Sequence, residues 1–252
     1  MVAVPVVVLA ALGLLVGTAV EGVVASYRQH RGFGPWPRCR GCGHLLAGVA
    51  RVPLVGGAAS RRCVSCGGRR PGRALAIHLA TASAFVAVGV PRASSWPALG
   101  IALCEAAVLV ALLVIDLDTR LIPTALVAVL VALGLGGAAL GAGPGVGAAL
   151  LGGLAGFVAF GALVTLARWR YGAGALGMGD ANLALAIGCI VGYPLVVVTL
   201  AVGVALGGLV AAAVLLRAIA ARRGADGLRA VIPYGPCLIG ALLLVMARII
   251  AA

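Results

Sequence analysis

The sequence predicts an all-α polytopic membrane protein of about eight transmembrane helices, with a small cytoplasmic zinc-knuckle loop. Three observations carry that expectation. The 252 residues are 63% hydrophobic and 10% charged, where a soluble domain is roughly half apolar and a quarter charged. Stretches nearly free of charge recur, from Ala98 to Ile115, Leu121 to Ala142 and Val146 to Ala167, each long enough to cross a bilayer. The one long polar stretch between apolar segments holds two C-x-x-C pairs.

In chain order the expected spans are about 2–24, 74–91, 97–115, 121–142, 146–168, 181–193, 195–217 and 234–251. The opening stretch Met1 to Val20 lacks a basic start and further spans follow it, so it reads as a retained first helix rather than a signal peptide. The sixth span is short and interrupted by glycine, which suits a tilted helix or one partly buried in the bundle, and Tyr193-Pro194 marks its turn into the seventh. Glycine runs such as Gly134 to Gly137 and Gly203 to Gly208 suit close helix contact within a membrane. Three regions result: a first transmembrane helix at 1–24, a cytoplasmic four-cysteine loop at 25–73, and a membrane-embedded helix bundle at 74–252.

All nineteen basic residues are Arg, and the net charge is +13. Nucleic acid is not the expected partner, because the charges are dispersed around apolar spans with no interleaved aromatics. Orientation explains them better. Ten lie between Arg28 and Arg73; Arg120, Arg168, Arg170, Arg217, Arg222, Arg223 and Arg229 fall on the same face if there are eight spans. Only Arg92 and Arg248 fall near the other. The excess of Arg places the first face in the cytoplasm and both termini outside. Asp116, Asp118 and Asp180 then land together on the cytoplasmic edge.

Cys39-Arg40-Gly41-Cys42 and Cys63-Val64-Ser65-Cys66 are separated by twenty residues, a spacing that matches four-thiolate zinc sites. Gly41, Gly43, Gly67 and Gly68 ease the two knuckles. A closed four-thiolate site leaves no open coordination position, so the metal would fold the loop rather than perform chemistry. Redox or disulfide chemistry is the alternative, disfavoured in a reducing cytoplasm. Cys104, Cys189 and Cys237 fall in apolar spans and read as small packing residues.

The chain has only six acidic residues, and three of them edge long apolar segments. Carboxylates there are costly and mark candidate sites. Two carboxyls held close share one proton, so one can activate water while the other donates to a carbonyl. That chemistry makes Asp116 and Asp180 the candidate pair. Each has a plainer reading, Asp180 as a helix N-cap and Asp116 as the i,i+4 partner of Arg120. Glu105, eleven residues before Asp116, shares its helix face.

Four segments in order resemble the GxGD membrane aspartyl proteases, specifically the bacterial type IV prepilin peptidases. They are Cys39-x-x-Cys42-Gly43-His44 with Cys63-x-x-Cys66; Ile115-Asp116-Leu117-Asp118-x-x-Leu121-Ile122-Pro123; Leu176-Gly177-Met178-Gly179-Asp180-Ala181-Asn182-Leu183; and Ile232-Pro233-Tyr234-Gly235-Pro236. The resemblance implies an aspartic endopeptidase in the bacterial cytoplasmic membrane, with Asp116 and Asp180 catalytic. It implies removal of the basic leader from prepilin or pseudopilin precursors at the cytoplasmic face, in service of a type IV pilus or protein secretion. Many members also methylate the new amino terminus with S-adenosylmethionine. Three departures leave methyl transfer open: Thr124 after Pro123, the stretch from Glu21 to Arg28, and His78 near where the family carries an acid. An ion-coupled transporter using the same acids is the rival from another class, although carriers place their sites nearer the bilayer midplane.

The expected leader is basic, so the Arg-rich loop should repel it and bind anionic lipid instead, at about 1 kcal/mol per Arg. Neutral substitutions at Arg61, Arg62, Arg69 and Arg70 should therefore disturb insertion or membrane stability rather than leader affinity. A raised KM with normal insertion would show that the loop contacts the leader.

Overall fold

A computed structural model describes residues 3–28, 34, 39, 42–44, 63, 65–67, 73–172, 177–220 and 234–248. Arg61, Arg62, Arg69, Arg70, Arg222, Arg223, Arg229 and Asp226 lie outside the described residues, as do Gly41, Gly68, Leu176, Ile232 and Pro233. Every regular element among the described residues is helical. In order they are α1 (Ala3–Arg28), α2 (Arg73–Gly89), a 3-10 turn (Val90–Arg92), α3 (Trp96–Thr119), α4 (Thr124–Ala139), α5 (Val146–Tyr171), α6 (Met178–Val191), α7 (Leu195–Ala220) and α8 (Gly235–Arg248).

The eight apolar helices follow the expected order, but they are not equal. Five are long and apolar enough to cross a membrane: Pro5–Arg28, Arg73–Arg92, Trp96–Thr119, Val146–Arg170 and Leu195–Arg217. Three are shorter apolar helices, Thr124–Ala139, Met178–Val191 and Gly235–Ala247. The protein is thus a multi-pass membrane protein. The span expected at 121–142 shortens because Pro123 stands at the N-cap with ψ 118°, so Leu121 and Ile122 precede the helix. Its other end is closed by Gly141 at φ 67°. Trp96 opens α3 at 80% exposure and Trp169 closes α5 at 83%, as interfacial tryptophans do; Arg168 and Arg170 flank the latter.

By its contacts the chain divides into one compact unit up to Thr119 and another from Arg120 to Arg248. In the first unit, α1 meets both α2 and α3. The α1–α2 contact is at backbone distance. A methyl on Gly13 would lie 2.6 Å from Ala82 Cα, and one on Gly17 would lie 2.9 Å from His78 Cα. His78 is buried at this contact, with Nε2 3.9 Å from Glu21 Oε2. On α3 the apolar side Ala106, Leu109, Leu112 and Ile115 is fully buried.

In the second unit, α6 packs against α4, α5, α7 and α8. Ala181, Leu183, Ala184, Ala186 and Ile187 have no exposed surface, which is why 14 residues suffice for a helix that has little lipid to face. Small residues create the fit, as membrane interfaces require. Methyls on Gly152 and Gly156 would lie 2.7 Å from Gly192 C and 3.0 Å from Ala184 C, and one on Gly134 would lie 2.9 Å from Cys189 C. Gly192 leaves the helix at φ 74° into a cis Tyr193–Pro194 bond.

Gly188 faces the backbone of Gly152 and Gly153, whereas Gly161 of α5 faces open space. Gly188→Ala should therefore destabilise the protein by about 1–3 kcal/mol through overpacking. Gly161→Ala should stay within about 0.5 kcal/mol of the native value. Thermal unfolding in detergent reads the difference; equal midpoints would contradict the backbone contact.

Candidate active site

Asp116 and Asp118 occupy the last turn of α3 in the first unit, and Asp180 the first turn of α6 in the second. The two acids of α3 have opposite surroundings. Asp118 lies between two guanidinium groups: Arg28 Nη1 is 2.9 Å from Oδ2, and Arg73 Nη1 donates to Oδ1. The Arg28 contact is an ion pair at a distance that would suit a hydrogen bond but is not aligned as one. Asp116 is 4% exposed, makes no ion pair among the described residues, and its Oδ2 is buried without a hydrogen-bond partner there. The reading of Asp116 as half of an interfacial ion pair therefore finds no support. Buried carboxylate oxygens are rarely left so unless a water, a ligand or a chemical step uses them.

Glu105, Leu109, Leu112 and Asp116 follow a helical 4-3-4 spacing and are all buried, so the expectation that Glu105 shares the Asp116 face holds. Thr119 Oγ1 donates to Ile115 O at 2.9 Å, and the chain leaves α3 at Arg120, whose φ is 56°.

Asp180 is not the N-cap of α6. Gly177 takes that position with φ −85° and ψ 144°, and no side chain caps the helix. Asp180 sits three residues in, buried, with its N–H donating to Gly177 O at 3.2 Å. The two glycines before it have different surroundings. A methyl on Gly177 would sit 3.7 Å from Asp180 Oδ2, in ordinary van der Waals contact with the carboxylate. A methyl on Gly179 would be 3.0 Å from Ile122 Cβ, so Gly179 admits Ile122 against the turn. Ile122 of the first acidic segment thus touches the second one, a contact that the sequence pattern alone did not reveal.

The four cysteines of the loop do come together. Their sulfurs all lie within 4.8 Å of one another, with Cys39–Cys66 at 3.5 Å and Cys42–Cys63 at 3.8 Å. All four are free thiols. Sulfurs about 2.3 Å from a central tetrahedral ion are about 3.8 Å apart, so the set fits zinc. Gly43 N–H donates to Cys39 O at 2.9 Å and Gly67 N–H to Cys63 O at 2.8 Å. The two glycines have φ 71° and 66°, the backbone that turns each knuckle. Backbone N–H groups of Cys66 and Ser65 hold the Cys63 thiol below the usual thiol range, favouring the thiolate a metal requires. Cys189 is buried beside Gly153 in α5, a packing residue as expected.

A family model described as the type IV leader peptidase family matches residues 103–212, a range that includes Asp116 and Asp180. A protein of Burkholderia pseudomallei strain K96243, named prepilin leader peptidase/N-methyltransferase, is 32% identical over 228 residues, covering 87% of this chain and 68% of the relative. The chain belongs to the type IV leader peptidase family. Another relative of the same name, from Aeromonas hydrophila, is 33% identical over 156 residues, covering 62% of this chain and 53% of the relative. The matched part of the chain thus spans about half the length of the Aeromonas relative. No solved structure matches the chain.

Under a catalytic role for Asp180, Gly177→Ala should leave folding intact and lower peptidase turnover, because the methyl has room yet meets the carboxylate at 3.7 Å. Gly179→Ala should instead cost about 1–3 kcal/mol of stability by pushing on Ile122. Turnover and thermal unfolding measured side by side separate the two; reversed effects would contradict these assignments.

Proposed function

We propose that this chain is a prepilin leader peptidase of the bacterial cytoplasmic membrane, with Asp116 and Asp180 as its catalytic pair facing the cytoplasm. The contrast between the two acids of α3 carries the assignment. Asp118 is neutralised by Arg28 and Arg73, while Asp116 keeps a buried carboxylate oxygen with no partner among the described residues. Asp180 supplies the second carboxyl, buried in the first turn of α6 with Gly177 beside it.

Under this reading one carboxylate takes a proton from water as the water oxygen bonds to the scissile carbonyl carbon. The other carboxyl gives its proton to the carbonyl oxygen. Collapse of the resulting diol breaks the C–N bond, with the departing nitrogen taking a proton. The products are the leader with a new carboxylate and the mature protein with a new amine. Two carboxyls held together share one proton at neutral pH, which supplies both roles at once. Asp180 opens a helix and Asp116 closes one, so the helix dipoles favour Asp180 as base and Asp116 as acid.

The substrates are prepilin or pseudopilin precursors serving a type IV pilus or protein secretion, and anionic lipid holds the Arg-rich loop. Cys39, Cys42, Cys63 and Cys66 would hold one structural zinc ion, which ties the two knuckles into one fold. Methyl transfer from S-adenosylmethionine to the new amino terminus rests on the relatives' names, and no described residue is assigned to it. A protease-only member would release an amino terminus that takes up no labelled methyl group.

Co-expression with a prepilin, read by a gel shift for leader removal, tests the pair. Asp116→Asn and Asp180→Asn should each abolish cleavage with membrane insertion retained, and Asp118→Asn should keep more activity than Asp116→Asn. The opposite order for the two α3 acids would move the catalytic role to Asp118. Loss of proton-coupled transport without loss of cleavage would favour the transporter reading.

Metal analysis of the purified protein should find about one zinc per chain. Replacing any one of the four cysteines by Ser should release it and lower activity indirectly. Zinc-free protein with the four cysteines paired as disulfides would refute the metal assignment.

A further inference from the structure

Asp118 joins three helix ends. Arg28 is the last residue of α1, Arg73 the first of α2, and Asp118 lies in the last turn of α3. Two of these charges stand against their helix dipoles. A cation in the first turn of α2 meets the positive end, and an anion in the last turn of α3 meets the negative end. Neither placement is favourable alone, and together they form a pair in which Asp118 is 5% exposed at its side chain. Arg73 reaches further, its Nη2 donating to Val114 O at 3.5 Å. With Thr119 bonded to Ile115 O, two successive carbonyls of the turn that carries Asp116 are tied by side chains. Arg28 and Arg73 also bracket the segment that contains the four cysteines, so both ends of that segment meet on one carboxylate.

We propose that Asp118 is a positioning residue for the peptidase: with Arg28 and Arg73 it clamps the last turn of α3 and thereby fixes the Asp116 carboxyl. The proposal rests on Asp116 being a catalytic acid. Asp118 itself touches no reacting atom. Its carboxylate is committed to two guanidiniums, those of Arg28 and Arg73. A misplacement of the order of one ångström in a reacting group lowers turnover by about 100-fold, so a clamp acting on a neighbouring turn has a kinetic signature. The α1 end of the clamp makes it more than a local cap, since α1, α2 and α3 must all be in register for the three groups to meet.

The test is a double-mutant cycle with Asp118→Asn and Arg73→Gln, using full-length membrane-inserted protein and a synthetic prepilin peptide, with rates normalised to inserted enzyme. Each single variant should lose about 10- to 100-fold in kcat with KM little changed, and the double variant should be no worse than the poorer single, because both break one contact. Arg73→Lys keeps the charge without the planar fork and should recover part of the loss. Losses that multiply in the double variant would overturn the clamp, as would wild-type kcat in Asp118→Asn. Asp118→Asn as inactive as Asp116→Asn, with Arg73→Gln unimpaired, would make Asp118 catalytic and overturn it too. If Asp118→Asn does not insert, Arg73→Gln and Arg73→Lys decide: equal, undiminished kcat overturns the clamp, and graded loss supports it. Asp116→Asn is run alongside, since full activity there would refute the catalytic assignment whatever the clamp does.

Discussion

The cost of holding a carboxylate among apolar helices organises the first unit. An ionised acid taken from water must be paired, neutralised or used, and α3 carries three acids in a helix with no basic residue of its own. Asp118 is paired, and its partners are supplied by the ends of α1 and α2. The same pairing gives those two helices a fixed meeting point with α3. Asp116, two residues earlier, points elsewhere on the helix and receives neither arginine. A helix places such neighbours about 200° apart, so one turn can serve a structural acid and a candidate catalytic one without either compromising the other.

Close backbone packing does the corresponding work in the second unit. Lipid is as apolar as leucine, so helices there gain little from hiding apolar side chains and must fit at the backbone. Gly134, Gly152, Gly156 and Gly188 provide that fit around α6 and let a short helix be enclosed by its neighbours. The first turn of α6 carries Asp180, and Ile122 lodges against it where Gly179 has no side chain. Under the proposed function, rigidity of this kind is what keeps a carboxyl ready for a substrate that arrives as an extended chain.

Much of this was legible in the sequence. Hydropathy gave the number and order of the apolar helices, because length without charge is a direct signal of a span. The two C-x-x-C pairs indicated the four-thiol cluster, because ligand spacing reports local turns that glycine must make. Less legible were features set by contacts between distant residues. Arg28 and Arg73 looked like two members of a basic loop, and only their meeting on Asp118 distinguishes them. Asp180 looked like a cap, yet Gly177 holds that position, since the helix starts at Met178, three residues before the span expected from Ala181. The helix at Thr124–Ala139 is shorter than expected, since apolar residues outside a helix read the same as those within it.

The central claim is that Asp116 and Asp180 act as one pair, and cross-linking tests it without relying on activity. Cys104, Cys189 and Cys237 are first replaced while the four loop cysteines are kept, and Asp116→Cys is combined with Asp180→Cys. A short bifunctional methanethiosulfonate, added to membranes and followed by mass spectrometry, reports whether the two thiols are neighbours. The account predicts an efficient 116–180 link and a much weaker one when Asp118→Cys replaces Asp116→Cys. A 118–180 link with none at 116–180, or no link from either, would contradict it.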